Sequence, residues 1–510
     1  MPAGAAMHPG RPAMSAAIGL LRGVLSVWLV LLSLPVSAAP SLAVGSKRFT
    51  ESYILAEIVA RAAAPHATVV HRQGLGNTAI VFEALKTGAI DLYPEYTGTL
   101  AREVLKLPSA AGLAEMRAAL APLGLGVAVP LGFHNGYALA MRSDEARRRN
   151  LASLSGLKAH PDLRLALSHE FLGRADGWAG LANRYALPQR PTGIDHGLAY
   201  EALAKRSIDV TDIYTTDAKL ARYGFTVLQD DQDYFPRYDA VLVYRLDAAE
   251  RASAAWQAIR KLEGRIGEPA MIAMNAAAEI DGKAFAAVAA EFLAGSTGGG
   301  GRATFRDKLF GNDFWRLLRQ HAALVCLAVA IAVAFGMPLG ILAAARPALR
   351  QPVLASTGLL QTVPSLALLA MLIPLVGGIG TLPALVALVL YALLPIVQNT
   401  CTGLAGVPPG LRQAALSLGL RPRQRLVLIE LPLAMPVILA GVKTAAVTTV
   451  GTATIAAFIG AGGFGERIAT GLALNDHATL LAGALPAAAL ALATQALFAL
   501  AERRIARRAG

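Results

Sequence analysis

Cysteine is nearly absent from this chain: Cys326 and Cys401 are the only two in 510 residues. Both fall in apolar runs with no histidine or carboxylate beside them. A disulfide framework is therefore excluded, and small apolar packing is the expected role of each thiol. The nine histidines are scattered. No HExxH, no triad-like grouping and no metal-ligand cluster occurs, so no catalytic residue and no metal ligand is assigned. His196 beside Asp195 is the nearest approach and reads as a surface loop pair. The phosphate-cradling sequence G-x4-G-K-[ST] is also missing, so this chain is not expected to hydrolyse ATP itself. Gly460-Ala461-Gly462-Gly463-Phe464-Gly465 satisfies G-x-G-x-x-G but has no strand before it, and the dinucleotide reading requires one.

Charge is nearly missing from five long stretches, 321–345, 352–375, 382–404, 433–459 and 478–500, where Lys443 is the one charged residue. Each is about 20 residues or more, enough to cross a hydrocarbon core of ~30 Å. Residues 41–295 have ordinary globular composition with charges throughout. The chain thus divides into a soluble half and a membrane half. Its formal net charge of +13 invites a nucleic-acid reading, but the cations sit elsewhere. Arg346 and Arg350, then Arg412, Arg421, Arg423 and Arg425, then Arg503, Arg504, Arg507 and Arg508 follow the first, third and fifth apolar stretches. This places them on one side of a bilayer, the positive-inside pattern; nucleic acid is not an expected partner. Residues 1–39 carry Arg11 and Arg22, an apolar run Gly23–Val36 and the small-residue end Ser37-Ala38-Ala39. They read as a signal peptide, cleaved after Ala38, or as an uncleaved N-terminal membrane anchor. Residues from 41 onward would then emerge outside the cytoplasm, and five spans would return the chain to the inside.

In the soluble half, Leu42–Lys47 reads as a short buried strand ending in a glycine turn. Ile54, Leu55, Ile58 and Val59 then recur at helical spacing. Alternating strand-like and helix-like segments follow, which predicts an α/β architecture. Tyr137–Arg142 and Ala240–Arg245 look like crossings between two lobes. Lobe 1 would comprise about 41–140 and 241–294, and lobe 2 about 143–239, together a clamshell substrate-binding domain over 41–294. Residues 295–303, which include Gly298-Gly299-Gly300-Gly301, form a glycine-rich linker. Such a tether holds the soluble half near the membrane half at an effective concentration of order mM. Residues 304–510 form an all-α transmembrane domain of about five spans. Pro338, Pro364, Pro374, Pro383, Pro395, Pro432 and Pro436 interrupt or edge these spans. Irregular backbone at membrane depth is tolerated only where it is buried in protein or lines a cavity.

Residues 413–432 read Gln-Ala-Ala-Leu-Ser-Leu-Gly, then nine residues, then Ile-Glu-Leu-Pro. This resembles the cytoplasmic coupling loop of ATP-binding-cassette (ABC) import permeases, Glu-Ala-Ala-x3-Gly-x9-Ile-x-Leu-Pro. Ala414, Ala415, Gly419, Ile429, Leu431 and Pro432 match in register, and Gln413 replaces the usual first Glu. The soluble half resembles the binding proteins for glycine betaine, choline and related osmoprotectants. The carrying residues are Gly45–Ser52, Leu75–Thr78, Asp91–Thr99, Ser168–Arg174 and Asp212–Asp217. Gly336–Gly340, Gln361–Ser365 and Leu394–Thr400 resemble permeases of the same systems.

The resemblance implies a type I importer subunit in which receptor and channel are fused. It captures a quaternary ammonium solute outside the cytoplasm and moves it across the inner membrane. The permease would pair as a homodimer, and a separate cytoplasmic ATPase dimer would supply ATP hydrolysis; no cofactor is expected in this chain. A trimethylammonium group offers no N–H donor, so aromatic faces hold it at ~0.5–2 kcal/mol each. The resemblance assigns the cage to Tyr96, Tyr137, Tyr214 and Tyr238, with Tyr93 and Trp178 as substitutes. It assigns recognition of a ligand carboxylate to Lys47, Thr99 and Arg174, although Lys47 could instead be an exposed turn lysine. A zwitterion such as glycine betaine is expected first, because choline would leave Arg174 unpaired. Choline, carnitine, ergothioneine and an amino acid remain alternative cargoes, and a membrane-anchored solute sensor is the distant alternative function.

Overall fold

The computed structural model describes residues 40–108, 111–295, 304–311, 313–474 and 476–509. The signal or anchor segment 1–39, and the linker from residue 296 to 303, lie outside the described residues.

β1 (Ser41–Gly45), β2 (Thr68–Arg72), β3 (Leu92–Tyr96), β4 (Leu125–Ala128) and β10 (Ala240–Arg245) form a five-stranded sheet in the order β2-β1-β3-β10-β4. β1 pairs in parallel with β2 and β3, and β10 runs antiparallel between β3 and β4. The helix Thr50–Ala63 buries Ile54, Leu55, Ile58 and Val59, the face expected from their spacing. The late helices Glu268–Glu279 and Phe285–Ala294 pack on it and complete lobe 1. The second lobe is built on β5 (Tyr137–Arg142), β8 (Val210–Tyr214) and β9 (Phe225–Leu228), in the order β8-β5-β9. β6 (Ala166–Ser168) and β7 (Thr192–Ile194) pair in parallel and join through a bridge from Leu165 to Val210.

The first lobe boundary therefore differs from the expected one, while residues from 241 fall in lobe 1 as expected, and neither segment expected as a crossing is itself one. Tyr137–Arg142 is a central strand of lobe 2, and Ala240–Arg245 a central strand of lobe 1. The crossings lie just before each, in 129–136 and 229–239. They are hydrogen-bonded to one another: Ala240 N donates to Phe133 O (3.0 Å) and Asn135 N donates to Tyr238 O (3.0 Å). Apolar alternation marks a strand but does not say which sheet it joins; that depends on pairing partners far away in sequence.

In the membrane half, four helices among the described residues are long and apolar enough to cross a bilayer, or five if one bent pair counts as a span. The second expected span is that pair, Pro347–Thr362 and Ser365–Val376, bent by 100°. The break falls at Val363-Pro364. Val363 is extended, the conformation that a following proline favours, and its freed carbonyl accepts the Tyr391 hydroxyl. Pro338, Pro395 and Pro436 instead lie inside continuous helices. Glycine sets the packing at the centre. The helix Thr381–Ala405 lies against both Phe314–Ala345 and Leu431–Thr452. At Gly340 a Cβ would stand 2.6 Å from Thr400 Cβ, and at Gly441 2.5 Å from Asn399 Cβ. Small residues let membrane helices approach closely where no hydrophobic force drives them together.

The two halves touch. Arg48, in the turn after β1, donates Nη2 to the Phe458 carbonyl at 2.9 Å, and its guanidinium lies 4.2 Å from the Phe458 ring centroid. A Cβ on Gly460 would come within 2.6 Å of Leu75, and one on Gly197 within 2.1 Å of the Ala473 carbonyl. Arg48 and Leu75 belong to lobe 1 and Gly197 to lobe 2, so one membrane-half segment, 458–473, contacts both lobes. Replacing Arg48 by alanine removes a charged hydrogen bond and a stacked cation, together ~2 kcal/mol or more. The expected result is a roughly ten-fold or greater fall in solute uptake by proteoliposomes, with equilibrium ligand binding retained. Normal uptake would show that this contact does not serve docking.

Candidate functional site

The site forms where the two crossings bring both lobes together. Tyr137 opens β5 and Tyr214 closes β8, and the two are directly opposed in an antiparallel pair. Their ring centroids lie 5.2 Å apart, the neighbour relation that such pairing enforces. Tyr238 comes from the second crossing and meets Tyr137 edge-on at 5.8 Å. Gly98 makes room for it: a Cβ there would sit 2.6 Å from the Tyr238 ring. Tyr96, at the end of β3, reaches this group through Phe49, whose ring lies 6.3 Å from Tyr96 and 5.5 Å from Tyr214. Phe171 stands 5.1 Å from Tyr137. The structure thus gathers all four expected tyrosines and adds Phe49 and Phe171. Trp178 is buried in the extended hydrophobic core that also holds these tyrosines but makes no ring contact with them among the described residues, whereas Tyr93 belongs to a separate core cluster and donates to Glu95 (3.2 Å).

The expected carboxylate-binding residues are present but already occupied. Lys47 is not an exposed turn lysine: it is buried, and its ammonium contacts Glu95 at 2.6 Å while lying 5.8 Å from the Tyr96 ring centroid. Arg174 grips Asp176 with two bonds, Nε to Oδ1 at 2.7 Å and Nη2 to Oδ2 at 2.6 Å, and also reaches Thr99 Oγ1 at 3.2 Å. Choline would therefore not leave Arg174 unpaired, and that ground for expecting a zwitterion falls.

Glu51 was not foreseen as part of the site. It is 2% exposed and accepts four hydrogen bonds. Oε1 receives Tyr96 OH (2.5 Å) and Asn135 Nδ2 (2.9 Å); Oε2 receives Thr216 Oγ1 (2.5 Å) and Asn275 Nδ2 (3.0 Å). Burial raises its pKa even against these four bonds. The donors come from lobe 1, the first crossing and lobe 2, so this carboxylate ties the clamshell shut. Phe49, Glu51, Phe171 and Thr216 stand inside stretches that the sequence singled out, but Asn275, about 220 residues from Glu51, gave no signal.

A small cleft opens beside Tyr214, lined by Phe49, Glu51, Asn135, His196 and Asp217 together with Ala473 and Leu474 of the membrane half. His196 packs on the Tyr214 ring at 4.5 Å and contacts Asp217 at 3.2 Å; it is part of the site and not a surface loop pair. Burial disfavours its charged form, but Asp217, with Asp212 and Glu279 behind it, overrides burial and pushes the pKa up to about 9. The ring's ordinary value is 6.5. A raised folded pKa means that this ion pair stabilises fully below pH ~6.5 and that its contribution is lost as pH rises through ~9. Thermal unfolding of the full chain is expected to show that loss across this window, and His196→Asn should flatten the slope. An equal slope in the variant would assign the effect to other groups.

In the segment between the third and fourth expected spans, Gln413, Ala414 and Ala415 lie in the helix Pro409–Ser417 and Ala415 is fully buried. Gly419 has φ +72°, a left-handed turn that suits glycine. Ile429 falls in the widened turn Leu426–Glu430, and Leu431 and Pro432 begin the helix Leu431–Thr452. Glu430 holds Arg412 (3.3 Å) and Arg425 (3.1 Å), pinning the loop to itself. Leu416 and Leu418 are exposed.

A two-lobed α/β receptor joined to a helical bundle with such a loop defines a binding-protein-dependent importer subunit. Residues 40–295 match the family described as the substrate-binding domain of ABC-type glycine betaine transport systems. Residues 336–507 match the inner-membrane component of binding-protein-dependent transport systems. The chain belongs to these families, as a fused receptor and permease of an ABC importer. It is a multi-pass membrane protein and a transporter component, not an enzyme, and permeases of this kind work with a separate ATPase. It is similar to the osmoprotectant import permease protein OsmW of Salmonella typhimurium, 48% identical over 177 residues, which is 34% of this chain and 82% of that protein. The choline transport system permease protein OpuBB of Bacillus subtilis is 39% identical over 186 residues, 36% of this chain and 85% of that protein. The ergothioneine transport permease/ergothioneine binding protein EgtU of Helicobacter pylori is 40% identical over 264 residues, 49% of this chain and 47% of that protein.

Proposed function

We propose that the receptor half captures a quaternary ammonium solute of the glycine betaine type in the aromatic cage Tyr96, Tyr137, Tyr214 and Tyr238. The single observation that carries this reading is the convergence of these rings at the lobe junction, where they offer electron-rich faces and few N–H donors. Lys47, Thr99 and Arg174 flank the cage on its polar side. The receptor faces the periplasm, the permease pairs as a homodimer in the inner membrane, and an ATPase dimer docks at 413–432, where Leu416 and Leu418 are exposed beside the buried Ala415. Glycine betaine, choline, carnitine and ergothioneine all fit this chemistry, and the names of the relatives span osmoprotectant, choline, carnitine and ergothioneine transport.

Titration calorimetry on the full chain in lipid nanodiscs, with those four solutes and methionine as a control, tests the reading. Saturable binding of a quaternary ammonium supports it. Binding of methionine alone would keep the importer and discard the cage.

A further inference from the structure

Between the cage rings lies an ion pair made entirely by the protein. Arg174 and Asp176 are 5% and 3% exposed. The guanidinium fork is filled by the Asp176 carboxylate, and its central carbon stands 5.0 Å from the Tyr137 ring centroid. Asp176 Oδ2 also accepts the Tyr238 hydroxyl at 2.8 Å. Glu170 lies 3.6 Å from the remaining Nη1. The arrangement has the chemistry of a bound zwitterion: a delocalised cation on an aromatic face, and a carboxylate held by a fork and a tyrosine.

We propose that Asp176 is a built-in competitor for a ligand carboxylate, and so the residue that sets the receptor's selectivity between zwitterionic and purely cationic quaternary ammonium solutes. The proposal rests on the cage reading above. A ligand carboxylate seeking Arg174 must displace Asp176 or share one guanidinium with it, and two carboxylates at one fork repel. A ligand with a neutral hydroxyl meets no such competition, because Arg174 stays paired throughout. The other buried cation does not relieve the conflict, since Lys47 is paired with Glu95. Around the rings, Glu51, Glu95, Glu170, Asp176 and Asp217 outnumber Lys47, Arg174 and His196, a balance that favours a net positive guest.

The experiment measures glycine betaine and choline affinities of the full chain in nanodiscs, for wild type, Asp176→Asn and Glu170→Gln. Asp176→Asn frees the fork and removes a negative charge near the ligand cation. The affinity ratio is expected to move toward glycine betaine by about ten-fold or more, the scale of a bidentate charged pair. Glu170→Gln removes the same charge without opening the fork, and should move the ratio by no more than about three-fold. An equal shift in both variants would mean that only the field matters and would overturn the proposal, as would an unmoved ratio in Asp176→Asn. Acetate gives a second readout that needs neither solute. It is expected to raise the melting temperature of Asp176→Ala, whose fork is empty, and not that of wild type; no protection would also overturn the proposal. Wild type that binds neither solute would sink the cage reading together with this one, whereas wild type that binds while the ratio stays fixed sinks this one alone.

Discussion

Tyr214→Ala is expected to weaken binding of any quaternary ammonium ligand by ~1–2 kcal/mol or more, roughly ten-fold or greater. The ring sits at the junction of three contacts: Tyr137 at 5.2 Å, Phe49 at 5.5 Å and His196 at 4.5 Å. Truncation therefore removes a cage wall and opens the cage into the adjoining cleft that Tyr214 lines. Water admitted there would solvate the ligand cation and weaken the remaining faces. Tyr214→Phe keeps the ring and should stay within a few-fold of wild type, because the interaction belongs to the face and not to the hydroxyl. Calorimetry on the full chain distinguishes the cases. Unchanged affinity in the alanine variant would remove Tyr214 from the cage, while a loss shared equally by the phenylalanine variant would point to the hydroxyl.

The second large effect is expected in the membrane half. Gly441→Ala should sharply reduce the yield of monodisperse protein in detergent, whereas Gly451→Ala, on the same helix, should not. Both substitutions improve intrinsic helix propensity by up to ~1 kcal/mol, so propensity alone predicts a gain at each. At Gly441 the new methyl would stand 2.5 Å from Asn399 Cβ and 2.6 Å from the Pro395 carbonyl. Backbone has to move, at ~1–3 kcal/mol or more. At Gly451 no atom lies within 4 Å of the added carbon. Analytical size exclusion of the two variants beside wild type provides the comparison. Equal profiles would mean that the helix contact at Asn399 is soft enough to yield.

Much of this protein was legible in its order of residues because the signals are local. The apolar stretches marked the spans, the face of Ile54, Leu55, Ile58 and Val59 marked the first helix, and the spacing of Ala414, Ala415, Gly419 and Pro432 marked the proposed coupling loop. The four tyrosines proposed as the cage were reached through the family resemblance that the short motifs around them carry. What tertiary structure alone decided are relations between distant segments. Pairing placed Tyr137–Arg142 in lobe 2, because strand identity follows from partners and not from alternation. Pro364 breaks its span while Pro338, Pro395 and Pro436 lie inside continuous helices, a difference that the residue type alone does not carry. Composition could name Lys47 and Arg174 as cations, but only the fold showed that Glu95 and Asp176 already hold them. Charge is written residue by residue; its neutralisation depends on distances that appear once the chain has folded.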